Sequence, residues 1–135
     1  MNTSLKLEIE FYQNLGKLFY AIAASDKIVR KEEIKTLIEL VKSKWLALDD
    51  FEDEFQVDAA YQIETVFDWL DCEGGLKTDS CFKEFKSFKK ENESLFNDKR
   101  KQLIWMTSNA IANSFSGKNK SELIILAKLK ILLKK

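Results

Sequence analysis

With 135 residues, 45% of them apolar and 33% charged, the chain has the size and composition of one folded domain, not of a disordered segment. It has no proline and only four glycines, which disfavours a fold of many tight β-turns and favours long helices. The formal net charge is zero, which argues against a dedicated nucleic-acid binder. Histidine is absent and there is no Cys-x-x-Cys pair, so there is no imidazole base and no thiolate zinc site.

The balanced total conceals segments of opposite sign. Residues 1–44 carry +2, residues 45–76 carry −10 with no basic residue, and residues 77–135 carry +8. An acidic middle and a basic C-terminal third predict two faces of opposite sign, or internal complementarity.

The first helix is predicted to begin near Thr3 or Ser4, either of which can cap it. Phe11, Leu15, Leu18, Phe19 and Ile22 recur at helical spacing, and Tyr12, Gly16, Tyr20 and Ala23 form a second stripe. Two apolar stripes and several small residues make this the expected central helix. Ser25 to Arg30 reads as a turn, with Ile28 or Val29 pointing inward. A second helix is predicted over Lys31 to Lys44 or slightly beyond, with Ile34, Leu37, Ile38, Val41 and Trp45 inward and Glu32 and Glu33 in its first turn.

After the acidic stretch Asp49 to Glu54, a third helix is predicted from about Gln56 to Asp71, on a stripe of Ala60, Ile63, Phe67 and Leu70. Gly74-Gly75 ends it. The fourth helix should start at Thr78 or Asp79 and run to about Lys90, with Cys81, Phe82, Phe85 and Phe88 inward and Lys83, Glu84, Lys86, Lys89 and Lys90 elsewhere. The fifth is capped by Asn97, runs to about Ser114 or Phe115, and turns Leu103, Thr107, Ala110, Ile111 and Ser114 inward. The sixth follows an Asn119 to Glu122 capping box, with Leu123, Leu126, Ala127, Leu129 and Leu133 inward. Trp45, Trp69 and Trp105 read as core with the phenylalanines. No segment alternates as a strand does. The expected fold is an all-α single compact bundle of six to seven helices spanning residues 1–135.

Two stretches repeat. Ala21-Ile22-Ala23 matches Ala110-Ile111-Ala112, Glu33-Ile34 matches Glu122-Leu123, and Leu37 and Leu40 match Leu126 and Leu129, all at an offset of 89 residues. We read this as an internal duplication of a helical hairpin, with the remaining helices inserted between the copies. The small residues predict that the first and fifth helices cross closely.

Residues Ala23 to Glu33, AASDKIVRKEE, resemble the signature of the TerB-like (tellurite resistance protein TerB) family. Its hairpins carry Ala-Asp-Gly, an apolar residue and then Glu. Asp26 stands at the family's Asp and Glu33 at its Glu; Lys27 replaces the Gly, and Arg30 stands where Ser or Thr usually caps the next helix. In the second copy Phe115 stands at the Asp and Glu122 remains. The resemblance implies an all-α fold of about seven helices built from two hairpins. It also implies association with bacterial tellurite-resistance and stress-response systems, and a divalent metal at acidic residues near the turns.

From the residues themselves, Asp26 and Glu33 have two readings. They fold the turn and the helix start, or they face one hard cation such as Ca²⁺ or Mg²⁺, helped by an acid from Asp49 to Asp58, with Glu122 a weaker candidate. Asp49, Asp50, Glu52, Asp53 and Glu54 form a solvated acidic loop or a docking patch for a basic partner. Lys99-Arg100-Lys101 is a solvated face, with phosphate or RNA contact the lesser reading. Cys72 and Cys81 read most simply as free thiols, with a disulfide the alternative. No catalytic motif is present, so the chain is not expected to be an enzyme. Met1 to Glu10 carries acids where a signal peptide is apolar, and no apolar run reaches membrane-span length, so a cytoplasmic chain is expected. The functional expectation is a non-enzymatic TerB-like stress-response module with a protein partner and no nucleic acid, carrying a divalent metal at its hairpin turn. The alternative is a metal-independent helical protein–protein interaction or scaffold domain. Oligomeric state is left open.

Overall fold

In the computed structural model, residues 3–25, 29–46, 54–73, 78–114 and 120–134 are described, with the side chains of 3–5 and 54–58 left aside. Six α-helices make up nearly all of these residues: α1 (Thr3–Ala23), α2 (Lys31–Leu40), α3 (Glu54–Glu73), α4 (Thr78–Glu91), α5 (Asp98–Asn113) and α6 (Lys120–Leu133). A π-helical turn, Val41–Trp45, continues α2, and a 3₁₀ turn, Glu93–Leu95, leads from α4 toward α5. No strand occurs among the described residues. The protein is an all-α compact bundle.

α1 is the axis of the bundle and packs against α3, α4, α5 and α6. Its residues from Leu18 to Ala23 are all buried, because a helix apolar on every side is stable only when covered on every side. Gly16 sets the approach of α3. A Cβ there would lie 2.8 Å from the Ile63 carbonyl oxygen and 2.9 Å from Val66 Cβ, so only glycine lets the two backbones come this close. Tyr20 then meets Phe67 edge-on at 5.7 Å between ring centroids. At the far end Phe96 gathers Phe11, Phe85 and Phe88 around it at 5.2–6.3 Å.

The second helix of each hairpin packs on the first helix of the other: α2 lies against α5 and α6 against α1. Exchanging the two hairpins converts one contact into the other. The first helices end alike. Ser25 Oγ donates to the Ile22 carbonyl at 2.8 Å and Ser114 Oγ to the Ile111 carbonyl at 2.7 Å, and 89 residues separate both members of the pair. α1 and α5 also touch, with the Arg100 guanidinium 4.2 Å from the centroid of the Phe11 ring. Arg100 stands 89 residues after Phe11, the offset of the sequence repeat.

Several sequence expectations are corrected. Lys89, read as a surface charge, is 0% exposed. Its aliphatic stem lies in the core, its Nζ reaches both Glu93 carboxylate oxygens at 3.0 Å, and it sits 5.6 Å from the Phe96 ring centroid. On α6, Leu123 is 54% exposed and Ala127 is exposed, while Leu126 and Leu129 face inward as expected. Trp69, expected in the core, is 60% exposed. Both cysteines are free thiols, Cys72 exposed and Cys81 buried. Among the described residues, no helix is long and apolar enough to cross a membrane.

Candidate functional site

The acidic residues nominated from sequence divide into three groups. Glu33 is buried in the first turn of α2, and its Oε1 accepts the Arg30 backbone N–H at 2.8 Å. This is one half of a capping box. Arg30 has the extended backbone of an N-cap, φ −98° and ψ 153°, but its side chain carries only donors. The Glu33 N–H therefore turns to the Arg30 carbonyl at 3.0 Å. Glu122 holds the equivalent third position of α6 and is also buried. Asp26, Asp49, Asp50, Glu52 and Asp53 lie outside the described residues, and Glu54 begins α3 with its side chain among those left aside. The described residues contain no group of three or more His, Cys, Asp or Glu that could hold a metal. What the geometry gives Glu33 is a helix-capping role.

The basic run also changes character. Lys99 is exposed, but Arg100 is buried, with its Nη2 2.8 Å from a Glu8 carboxylate oxygen and its Nη1 3.0 Å from the Leu95 carbonyl oxygen. A guanidinium held between a carboxylate, a carbonyl and an aromatic face is a structural clamp, not a phosphate contact. Asn97 caps α5 as expected, its Oδ1 accepting the Arg100 N–H at 2.9 Å.

The most distinctive surface is a groove between α4 and α6, which sequence reasoning missed. Two adjoining hollows of about 420 and 390 Å³ share Phe82, Lys83 and Lys128. Ile124, 50% exposed, and Ile131, 64% exposed, line it from α6. Lys83, Lys86 and Lys128 supply a basic rim, with the carboxylate of Asp79 at one end. The signal was present in the sequence. α6 reads KSELIILAKLKILL, with more apolar residues than one buried stripe can take, and such a helix needs cover on its outer face as well.

Two other hollows are smaller or differently lined. Between α2 and α3, Glu64 and Asp68 stand beside Ile34 and Ile38. Burial pushes the Glu64 carboxyl above its ordinary value, against the pull of Lys42, and its Oε1 has no hydrogen-bond partner among the described residues. Between α3 and α4, Lys17 Nζ lies 3.4 Å from Glu84 beside Tyr20 and Cys81. Burial first, then Asp71 and Cys81, push the Tyr20 hydroxyl upward.

No protein-family model, curated protein or solved structure matches this chain.

Proposed function

We propose that this chain is a non-enzymatic, metal-independent protein–protein interaction module that works through the α4–α6 groove. The observation that carries this reading is the groove face of α6, where Ile124 and Ile131 are each at least half exposed beside three lysines. An apolar floor with a charged rim is the composition of a protein-binding surface. The engagement of Glu33 in capping favours metal independence over the ion-binding alternative. The resemblance of Ala23 to Glu33 to TerB-like hairpins supports a setting in cytoplasmic stress-response systems. The burial of Arg100 weakens any nucleic-acid reading.

Quantitative affinity capture with the wild type and Ile124→Asp tests the groove. The variant should keep its helical circular dichroism and lose the proteins the wild type retains. Unchanged capture would refute the groove as the binding surface. Calorimetric titration with Ca²⁺ and Mg²⁺ tests metal independence. Saturable heat at micromolar ion, abolished by Asp26→Asn, would restore the metal reading.

A further inference from the structure

The groove has a defined chemistry, and the same molecule carries its complement. The floor is apolar, Phe82 with Ile124 and Ile131, and the rim holds Lys83, Lys86 and Lys128, so the fitting ligand is an acidic helix with an apolar anchor. α3 offers such a helix outward. Thr65, Asp68, Trp69, Cys72 and Glu73 follow the i, i+3, i+4, i+7, i+8 pattern, and all five are exposed. Among the described residues Trp69 is the most exposed of the aromatic rings, at 60%. No lysine or arginine occurs between Trp45 and Leu76, so α3 itself adds no basic residue to this face; Lys17 of α1, which shares a hollow with Trp69 and Glu73, is paired with Glu84.

We infer that the α4–α6 groove of one copy receives the α3 face of a second copy, with Trp69 seated against Ile124 and Ile131 and Asp68 and Glu73 against the lysine rim. This pairing rests on the interaction-module reading above and names its partner. Trp is the residue type most often found as a central anchor of an interface. Helix and groove occupy different surfaces of each copy, so the contact is heterologous. A heterologous contact leaves one free groove and one free helix at the ends of every assembly, and growth continues unless a ring closes. The concavity of the surface favours a helix over a bilayer, which would need a flat or convex apolar face.

Sedimentation equilibrium of the full chain at low ionic strength, with reductant present so that Cys72 does not link copies, tests the pairing. The weight-average mass should rise past that of a dimer with concentration, and the association should weaken at least tenfold between low and high salt. Trp69→Ala and Ile124→Asp should each weaken self-association at least tenfold. Mixed together, they should form a complex of two chains and no larger, because each retains the one surface the other lacks. A monomer at every concentration, or two variants that fail to combine, would overturn the inference. Groove-dependent capture of a different protein by a monomeric chain would overturn it while leaving the interaction reading intact. Groove-dependent sedimentation of a monomeric chain with anionic phospholipid vesicles would overturn both.

Discussion

α1 and α5 hold equivalent places in the repeat and fill them with different chemistry. At the 89-residue offset Phe11 corresponds to Arg100, Leu18 to Thr107 and Phe19 to Ser108, and all six are buried. α1 supplies rings and branched aliphatics. α5 supplies a guanidinium and two hydroxyls. The polar groups of α5 are mostly spent on the apolar neighbours that flank α1. Arg100 covers Phe11, and Thr107 Oγ1 accepts the indole N–H of Trp45 at 3.0 Å. Trp45 in turn lies 6.2–6.5 Å from Phe11, Tyr12 and Phe19. The difference teaches that two helices alike in how they end divide the work of the core between them. α1 is the source of burial energy, and α5 fixes how the rings are oriented, a role buried polar groups serve better than they serve net stability.

Substitutions on the two helices test that division. The largest effect is expected for Phe19→Ala, which empties a fully buried ring site and should cost about 3–5 kcal/mol in urea denaturation. Arg100→Ala removes the cover from Phe11 and leaves Glu8 without its guanidinium. Glu8 is a third exposed and can rehydrate, so the loss in thermal unfolding should be nearer about 2–4 kcal/mol. Thr107→Val keeps shape and strands the Trp45 N–H in the core, costing about 1–3 kcal/mol and changing the near-ultraviolet circular dichroism. The smallest effect should have the opposite sign. Ser108 Oγ is buried with no hydrogen-bond partner among the described residues, so Ser108→Ala should stabilise by about 1 kcal/mol in calorimetry. A loss at Ser108 as large as that at Phe19 would break the comparison, because α5 would then be a second source of packing energy.

Much of this plan was legible in the residues. The helix starts were readable near Thr3 and Thr78 because a residue type suited to helix starts stands at each, and at Asn97, whose Oδ1 accepts the Arg100 N–H. The double stripe of α1 was readable because its aromatics recur on two faces. α6 was misread because inward and outward positions are both apolar, so periodicity carries no phase; only the packing of α6 on α5 and α1 decides that Leu126 is buried and Leu123 exposed. Lys89 and Arg100 were misread because a charge in sequence is assigned to solvent by default, and their carboxylate partners, Glu93 and Glu8, cannot be ranked among many acids before the fold exists. The groove was missed for the same reason as the phase of α6. Trp69 was misplaced because a tryptophan at helical spacing looks alike whether it faces the core or solvent.

The π-helical turn after α2 bears on chain length. Leu37, Val41 and Trp45 are buried and four residues apart, a step that in an α-helix drifts about 40° each time. The wider turn over Val41–Trp45 absorbs that drift and keeps the indole pointed at Thr107. Lys42, Ser43 and Lys44 lie on its outer side, exposed. With one residue fewer, the indole would follow Leu37 by seven positions, which an ordinary helix places about 20° from the same face. The wide turn therefore carries one residue more than an α-helix needs to keep these three side chains together, and its solvent side holds the surplus.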